Sequence, residues 1–352
     1  MHRAGIKALV LLLAGFISEP VWPAQVIEPL KDALQLHEAG KIKEAIVLYD
    51  RFIKTYPKRV EGYFNRGNAY YDLGQNQRAV KDYSEAISLA PKDSEAYFNR
   101  GNAYRRLKQE RAALDDYSAA IKLNPQDSRA YINRGSIHFD ARRYDAAVED
   151  FSAAIRLSPE DADSYYNRGN SYLALNKTDE AIKDYTQALS FEEKLVDAFY
   201  NRGIAYSDSD KIDAAIADFT EVIKLSPKFS DAYYNRGLAA AKVGNYQAAV
   251  EDYSEAIRLN AKDPEAPFNR GIAYLRLEKY DYAARDFTEV IRLQPRNAEA
   301  HVYRGIARVY QKKDNEADAD FQKAFQLDPA LKKTVQPLIE EAKAQIKSEP
   351  AK

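Results

Sequence analysis

The chain has 352 residues, with 52 Lys+Arg against 53 Asp+Glu and a formal net charge of -1. That balance argues against a general nucleic-acid binder, which needs a basic surface. Cysteine is absent, which excludes disulfides, a thiolate metal site and a cysteine nucleophile. With 45% hydrophobic and 30% charged residues, the chain can bury apolar surface and is not a disordered segment.

The N-terminus reads as an address. His2, Arg3 and Lys7 precede a ten-residue apolar run, Ala8 to Ile17, that is too short to span a bilayer as a helix. Ala24 is the best cleavage point, although Trp22 stands where a small side chain is expected. Residues 1–24 are therefore expected to be a signal peptide, or else an uncleaved anchor, and the protein to be exported, periplasmic or secreted. No cysteine follows the run, so lipid anchoring there is excluded.

From residue 26 onward the sequence repeats. The triplet Asn-Arg-Gly begins at Asn65, Asn99, Asn133, Asn167, Asn201, Asn235 and Asn269, always 34 residues apart. A further copy reads Tyr303-Arg304-Gly305, and a degenerate first copy precedes them at Asp32-Ala33. That gives nine copies over residues 26–329. Within each copy, numbered from its first residue, position 4 is aromatic from Tyr63 to Tyr233 and position 8 is glycine from Gly67 to Gly305. Position 20 is alanine from Ala45 to Ala317, position 24 is Tyr or Phe from Tyr49 to Phe321, and position 32 is mostly proline, as at Pro57 and Pro329.

A fixed period of this length with these residue types resembles the tetratricopeptide repeat (TPR) family. The resemblance implies an all-α fold, a right-handed superhelical solenoid of nine helix-turn-helix units. A mid-helix glycine costs about 1 kcal/mol against alanine, so its recurrence at position 8 needs a packing reason. Close approach to the alanine at position 20 is the expected one. The aromatics at 4, 11 and 24 fill the space between layers, and proline at 32 stops the second helix.

One departure from the family stands out. Position 7, usually apolar in TPRs, holds Arg66, Arg100, Arg134, Arg168, Arg202, Arg236, Arg270 and Arg304. Position 23 holds Asp82, Asp116, Asp150, Asp184, Asp218, Asp252, Asp286 and Asp320 in the same copies. The first copy lacks both. The co-occurrence predicts a structural Arg–Asp pair, linking the two helices of a repeat or adjacent repeats. An anion-binding arginine ladder is the functional alternative.

The resemblance also says where a ligand would sit. First helices line the inner groove of TPR proteins, and position 6 faces it. Asn65, Asn99, Asn133, Asn167, Asn201, Asn235 and Asn269 would form a ladder of carboxamides that can donate and accept at once. Similar ladders in other TPR proteins hold peptide backbones. The plainer readings are that asparagine came along with duplicated repeats or caps a local backbone group. Beside it, Phe64, Phe98, Tyr166, Tyr200 and Tyr234 form an aromatic strip at position 5. Position 9 drifts from Asn68, Asn102 and Asn170 to Ile204, Leu238 and Ile272, so the groove should turn from polar to apolar. Lys at position 5, used by carboxylate-clamp TPRs, is missing.

After Pro329, residues 330–352 are expected to form a capping helix, with Leu338, Ile339, Ala342 and Ile346 on one stripe, and a tail. Glu193, in place of proline, and the pair Pro264/Pro267 are possible soft points. The four histidines are scattered, and none of the common catalytic or phosphate-binding motifs occurs. The expectation is a non-enzymatic protein-interaction scaffold with no metal or cofactor, binding an extended segment of another protein and no nucleic acid. No membrane insertion is expected after processing. A structural or assembly role through the convex face or the termini is the alternative, and carbohydrate binding the weakest reading.

Overall fold

The structure, a computed structural model, describes residues 24–348. The leader expected over residues 1–24 lies outside the described residues, except for Ala24, which opens the first helix. Every described element is α-helical, the all-α helical-repeat solenoid class that the family resemblance implied. The chain divides into two compact units at Ser171/Tyr172, so the array expected over residues 26–329 is carried by two bodies.

The first unit holds α1 (Ala24–Glu38), α2 (Ile42–Thr55), α3 (Val60–Asp72), α4 (Asn76–Leu89), α5 (Ser94–Arg106), α6 (Glu110–Leu123), α7 (Ser128–Asp140) and α8 (Tyr144–Leu157). The seam falls within α9 (Ala162–Ala174). The second unit holds α10 (Thr178–Phe191), α11 (Val196–Asp208), α12 (Ile212–Leu225), α13 (Ser230–Lys242) and α14 (Tyr246–Leu259). It continues with α15 (Glu265–Arg276), α16 (Tyr280–Leu293), α17 (Ala298–Tyr310), α18 (Asp314–Leu327) and α19 (Leu331–Ser348). Among α1–α8, and again among α10–α19, each helix packs on the next one in the chain.

Local chemistry sets the helix ends. Position 15 adopts positive φ in every copy, at Gly40, Gly74 and Gly244 and also at Lys108, Arg142, Asn176, Asp210, Glu278 and Lys312. This left-handed residue reverses the chain between the two helices of a repeat. The residue before proline is pushed out of the α region: Ala90, ahead of Pro91, sits at φ -133 and ψ 78. Glu192 keeps nearly the same geometry, φ -129 and ψ 89, with Glu193 in proline's place, so that repeat ends like the others. Pro264 becomes the N-cap of α15, which is one residue shorter than the other first helices after α1.

Two packing expectations need correction. A Cβ on Gly101 would lie 2.8 Å from Tyr117 Cε1, and one on Gly67 2.8 Å from Tyr83 Cε1. The glycine at position 8 thus faces the ring at position 24, not the alanine at position 20, because a full aromatic ring lies across the helix interface there. In α19 the inward stripe is Val335, Ile339 and Ala342, with Ile346 partly buried, packed on Val302, Val309 and Phe321. Leu338 is 52% exposed, since its place in the turn falls beside the stripe.

Candidate functional site

The arginines of position 7 hold three helices together. Arg100 Nε and Nη2 donate to the two oxygens of Asp116, each at 2.8 Å, on the second helix of its own repeat. Its Nη1 donates at 3.0 Å to Ser84 Oγ on the second helix of the preceding repeat. Arg66 makes the same fork to Asp82 and uses Asp50 as its third partner. Arg134 forks to Asp150 and reaches Ser118, and Arg168 Nη1 reaches Ser152. In the second unit Arg202, Arg236, Arg270 and Arg304 fork to Asp218, Asp252, Asp286 and Asp320 and reach Thr186, Thr220, Ser254 and Thr288. Asp184 is likewise buried.

The aspartate of the fork therefore lies within the repeat, and the third partner, a hydroxyl except at Arg66 with Asp50, lies in the preceding one. Aromatic rings flank the guanidinium, as where Arg100 lies 5.6 Å from the Tyr97 centroid and 5.8 Å from that of Tyr104. Hydrogen bonding to aspartate holds the Arg66, Arg100, Arg134 and Arg236 pKa values above the ordinary arginine range. With the forks of Arg66, Arg100, Arg134, Arg202, Arg236, Arg270 and Arg304 closed on carboxylates, an anion in solution finds no free bidentate face on them. The hydroxyls of position 25 were missed in the sequence, although they recur with the same period. Five of them also donate to the carbonyl four residues earlier, as Ser84 does to Val80 O.

Most position-6 asparagines are engaged too, and their partners depend on the repeat before them. In the first unit Asn99 Nδ2 donates to Asn68 Oδ1 at 3.3 Å, and Asn133 Nδ2 to Asn102 Oδ1 at 2.9 Å. Those same oxygens accept from the position-24 hydroxyls, Tyr83 Oη and Tyr117 Oη, each at 2.8 Å. The first repeat has Leu34 at position 9, and there Asn65 Nδ2 turns to its own backbone, Glu61 O, at 2.8 Å. Asn167 follows a repeat with Ile132 and Ser136, and its carboxamide has no hydrogen-bond partner among the described residues. In the second unit the acceptor changes: Asn235 donates to Tyr200 Oη and Asn269 to Tyr234 Oη, both at 3.0 Å. Asn201 and Tyr166 are half-buried. Where Tyr303 replaces asparagine, the preceding repeat offers Phe268, and the two rings meet edge to face at 5.6 Å.

The aromatic strip packs inward more than the sequence suggested. Phe98 is buried, and Phe64, Phe98, Tyr200 and Tyr234 each lean on a position-24 ring, with centroids 5.9–6.0 Å apart. The drift at position 9 also gains a structural cause. Asn68 and Asn102 accompany Tyr83 and Tyr117, whereas Ile204, Ile272 and Ile306 accompany Phe219, Phe287 and Phe321. Asparagine stands where the buried ring carries a hydroxyl to satisfy. Tyr49, opposite Leu34, and Tyr253, opposite Leu238, break the rule, and the buried Oη of Tyr49 has no partner among the described residues.

The first-helix face of the first unit holds a cavity of about 300 Å³, whose walls include Leu34, Asn65, Asn68, Phe98, Asn99 and Asn102. A neighbouring cleft of about 450 Å³ is lined by Tyr71, Asn102, Arg105, Arg106 and Asn133. Among the described residues no cluster of side chains could hold a metal ion, and no helix is long and apolar enough to cross a membrane.

Comparison with known proteins agrees with the architecture. The tetratricopeptide repeat profile matches residues 98–162, 132–194, 200–267 and 268–331. Related TPR profiles match residues 67–108 and 33–59. No curated protein sequence matches the chain. Among solved structures, a tetratricopeptide repeat protein from Parabacteroides merdae ATCC 43184 is 20% identical, with a TM-score of 0.50 over 73% of this chain and 98% of that one. YrrB, described as a TPR protein with an unusual peptide-binding site, is 24% identical, with a TM-score of 0.49 over 56% of this chain and 97% of its own. MamA is 25% identical, with a TM-score of 0.47 over 49% and 93%. With a single repeat profile matching well over half of its residues, the chain belongs to the tetratricopeptide repeat family.

Proposed function

We propose that the chain is a non-catalytic scaffold that holds an extended segment of another protein against the first-helix face of its first unit. The observation that carries this reading is the orientation of the carboxamides. Asn68 and Asn102 each spend the oxygen on two inward donors, which leaves the NH₂ group for a ligand. Asn99 and Asn133 each spend an N–H inward, which leaves the oxygen. Each Asn–Asn pair thus offers N–H donors from one carboxamide beside the oxygen of the other, the complement of a peptide group with its C=O and N–H. In the second unit position 9 is aliphatic and Asn235 and Asn269 lean on tyrosine hydroxyls, so that face is assigned a lesser part. The apolar run Ala8 to Ile17 supports an exported location.

Selection of a random-decapeptide phage library on the mature protein tests this. Enriched sequences lost on an Asn99→Ala/Asn133→Ala variant that keeps its helical circular dichroism would support the groove. Identical enrichment on both proteins would refute it. The second reading, assembly through an end of the array, rests on Leu338 being 52% exposed on α19, and it predicts loss of binding on removal of residues 331–352.

A further inference from the structure

The backbone clamp leaves open which side chains the bound segment carries. We propose, building on the groove reading, that the first unit selects a segment with a basic side chain and, about three residues away, an acidic one. The basic side chain enters the cavity beside Glu38 and Asp72, and the acidic one meets Arg105 and Arg106.

Acceptors dominate the cavity. Asn65 is only 8% exposed, lines the wall and has its Nδ2 committed to Glu61 O, so its Oδ1 is left without a donor among the described residues. Asn99 Oδ1 is left in the same state. Of the carboxylates at the cavity, Glu95 is held by Arg129 Nη2 at 2.6 Å, and Arg129 is further tied to Asp127 and lies over the Phe98 ring. His37 Nε2 lies 2.8 Å from Asp72 Oδ2, which leaves the other oxygen of Asp72. Glu38 has no ion-pair partner among the described residues. A site with spare acceptors, an unpaired carboxylate and the walls Leu34, Tyr71 and Phe98 suits a side chain with an apolar stem and several N–H donors. Lysine and arginine are the residues that have both.

One repeat further on, the position-13 column changes sign, from Glu38 and Asp72 to Arg106. Arg106 stacks 3.8 Å over the Tyr71 ring and donates to Tyr71 O. Arg105 and Arg106 line the second cleft with Asn102 and Asn133, and neither meets a carboxylate among the described residues. The stacked guanidinium is held ready, so it loses little freedom on binding. Neighbouring packed helices lie about 10 Å apart, a distance that an extended chain covers in about three residues.

Nine-residue peptides with blocked ends and a neutral body test this by fluorescence polarisation on the mature full chain. The set places Lys and Glu three apart in both orders, and replaces either or both by Gln. The better charged order should bind about fivefold more tightly for each charge, as partly exposed ion pairs do, with the gain shrinking in salt. Glu38→Gln/Asp72→Asn should abolish the preference for Lys and keep that for Glu. Arg105→Gln/Arg106→Gln should do the reverse. Equal affinity across the set, or preferences unmoved by those variants, overturns the charge assignment. Loss of the neutral peptide on Asn99→Ala/Asn133→Ala would then show that the groove reading stands without it. Failure of every peptide to bind overturns the groove reading and this inference together.

Discussion

Replacing Arg100 by methionine removes three hydrogen bonds and leaves Asp116 without its cation. The Asp116 side chain is 7% exposed and that of Arg100 18%. Stranding a buried carboxylate in this way costs about 3–5 kcal/mol. Replacing both partners, as Arg100→Met/Asp116→Leu, also removes the desolvation cost of the pair, and such exchanges are often neutral or stabilising. The double variant should therefore be more stable than the single one, despite losing more polar contacts. Urea unfolding followed by circular dichroism reads the global effect. Because repeat arrays need not unfold in one step, hydrogen exchange of α5 and α6 reads the local one. A single variant that loses under about 1 kcal/mol, or a double variant as damaged as the single, would refute the view that desolvation of Asp116 sets the energetics.

Gly101→Ala gains about 1 kcal/mol of helix propensity, but its Cβ meets a buried ring at 2.8 Å. Overpacking costs about 1–3 kcal/mol, so a lower melting temperature is expected, and a higher one would show that the ring yields freely. Tyr83→Phe removes the bond to Asn68 and should destabilise by about 1 kcal/mol. Tyr49→Phe deletes a buried hydroxyl that has no partner among the described residues and should be neutral or stabilising, so parallel melts that fall equally would contradict the pairing of Tyr83 with Asn68. Burial lowers the His138 pKa, against a weaker upward pull from Asp150. The unfolded chain then binds more protons below about pH 6.5, so stability falls as the pH drops through that range. His138→Tyr, the residue most other repeats carry at that position, should flatten part of the stability difference between pH 7.5 and pH 5.5, and an unchanged difference would assign the acid sensitivity elsewhere.

Much of this was legible because one period repeats. The fixed interval of Asn-Arg-Gly carries the family resemblance and with it the helical hairpins, and the joint absence of Arg and Asp from the first copy ties position 7 to position 23. The third partner was not seen, because Ser84 or Thr220 on a helix reads as solvent-facing filler until three helices are placed together. The partner of glycine was misassigned because facing positions depend on the stagger of two helices, which sequence spacing does not supply. Spacing alone puts Leu338 on the stripe, and only the packing partners Val302, Val309 and Phe321 set the phase of α19. The groove columns were visible, but the hydroxyl of Tyr83 behind Asn68, which gives the drift its cause, needed depth as well as register. The seam at Ser171 has no counterpart in the repeat pattern.

The linkage between the ring hydroxyl, the position-9 residue and the next repeat's asparagine makes groove polarity a property inherited in blocks. A lone Ile204→Asn exchange would set a carboxamide oxygen against Phe219, which can donate nothing to it. Joined to Phe219→Tyr, the same exchange installs the arrangement that Asn68 and Tyr83 already display. Redesign of what this surface attracts therefore has an order, hidden ring first and visible amide second, and Tyr253 beside Leu238 is a repeat that already stands at the intermediate step.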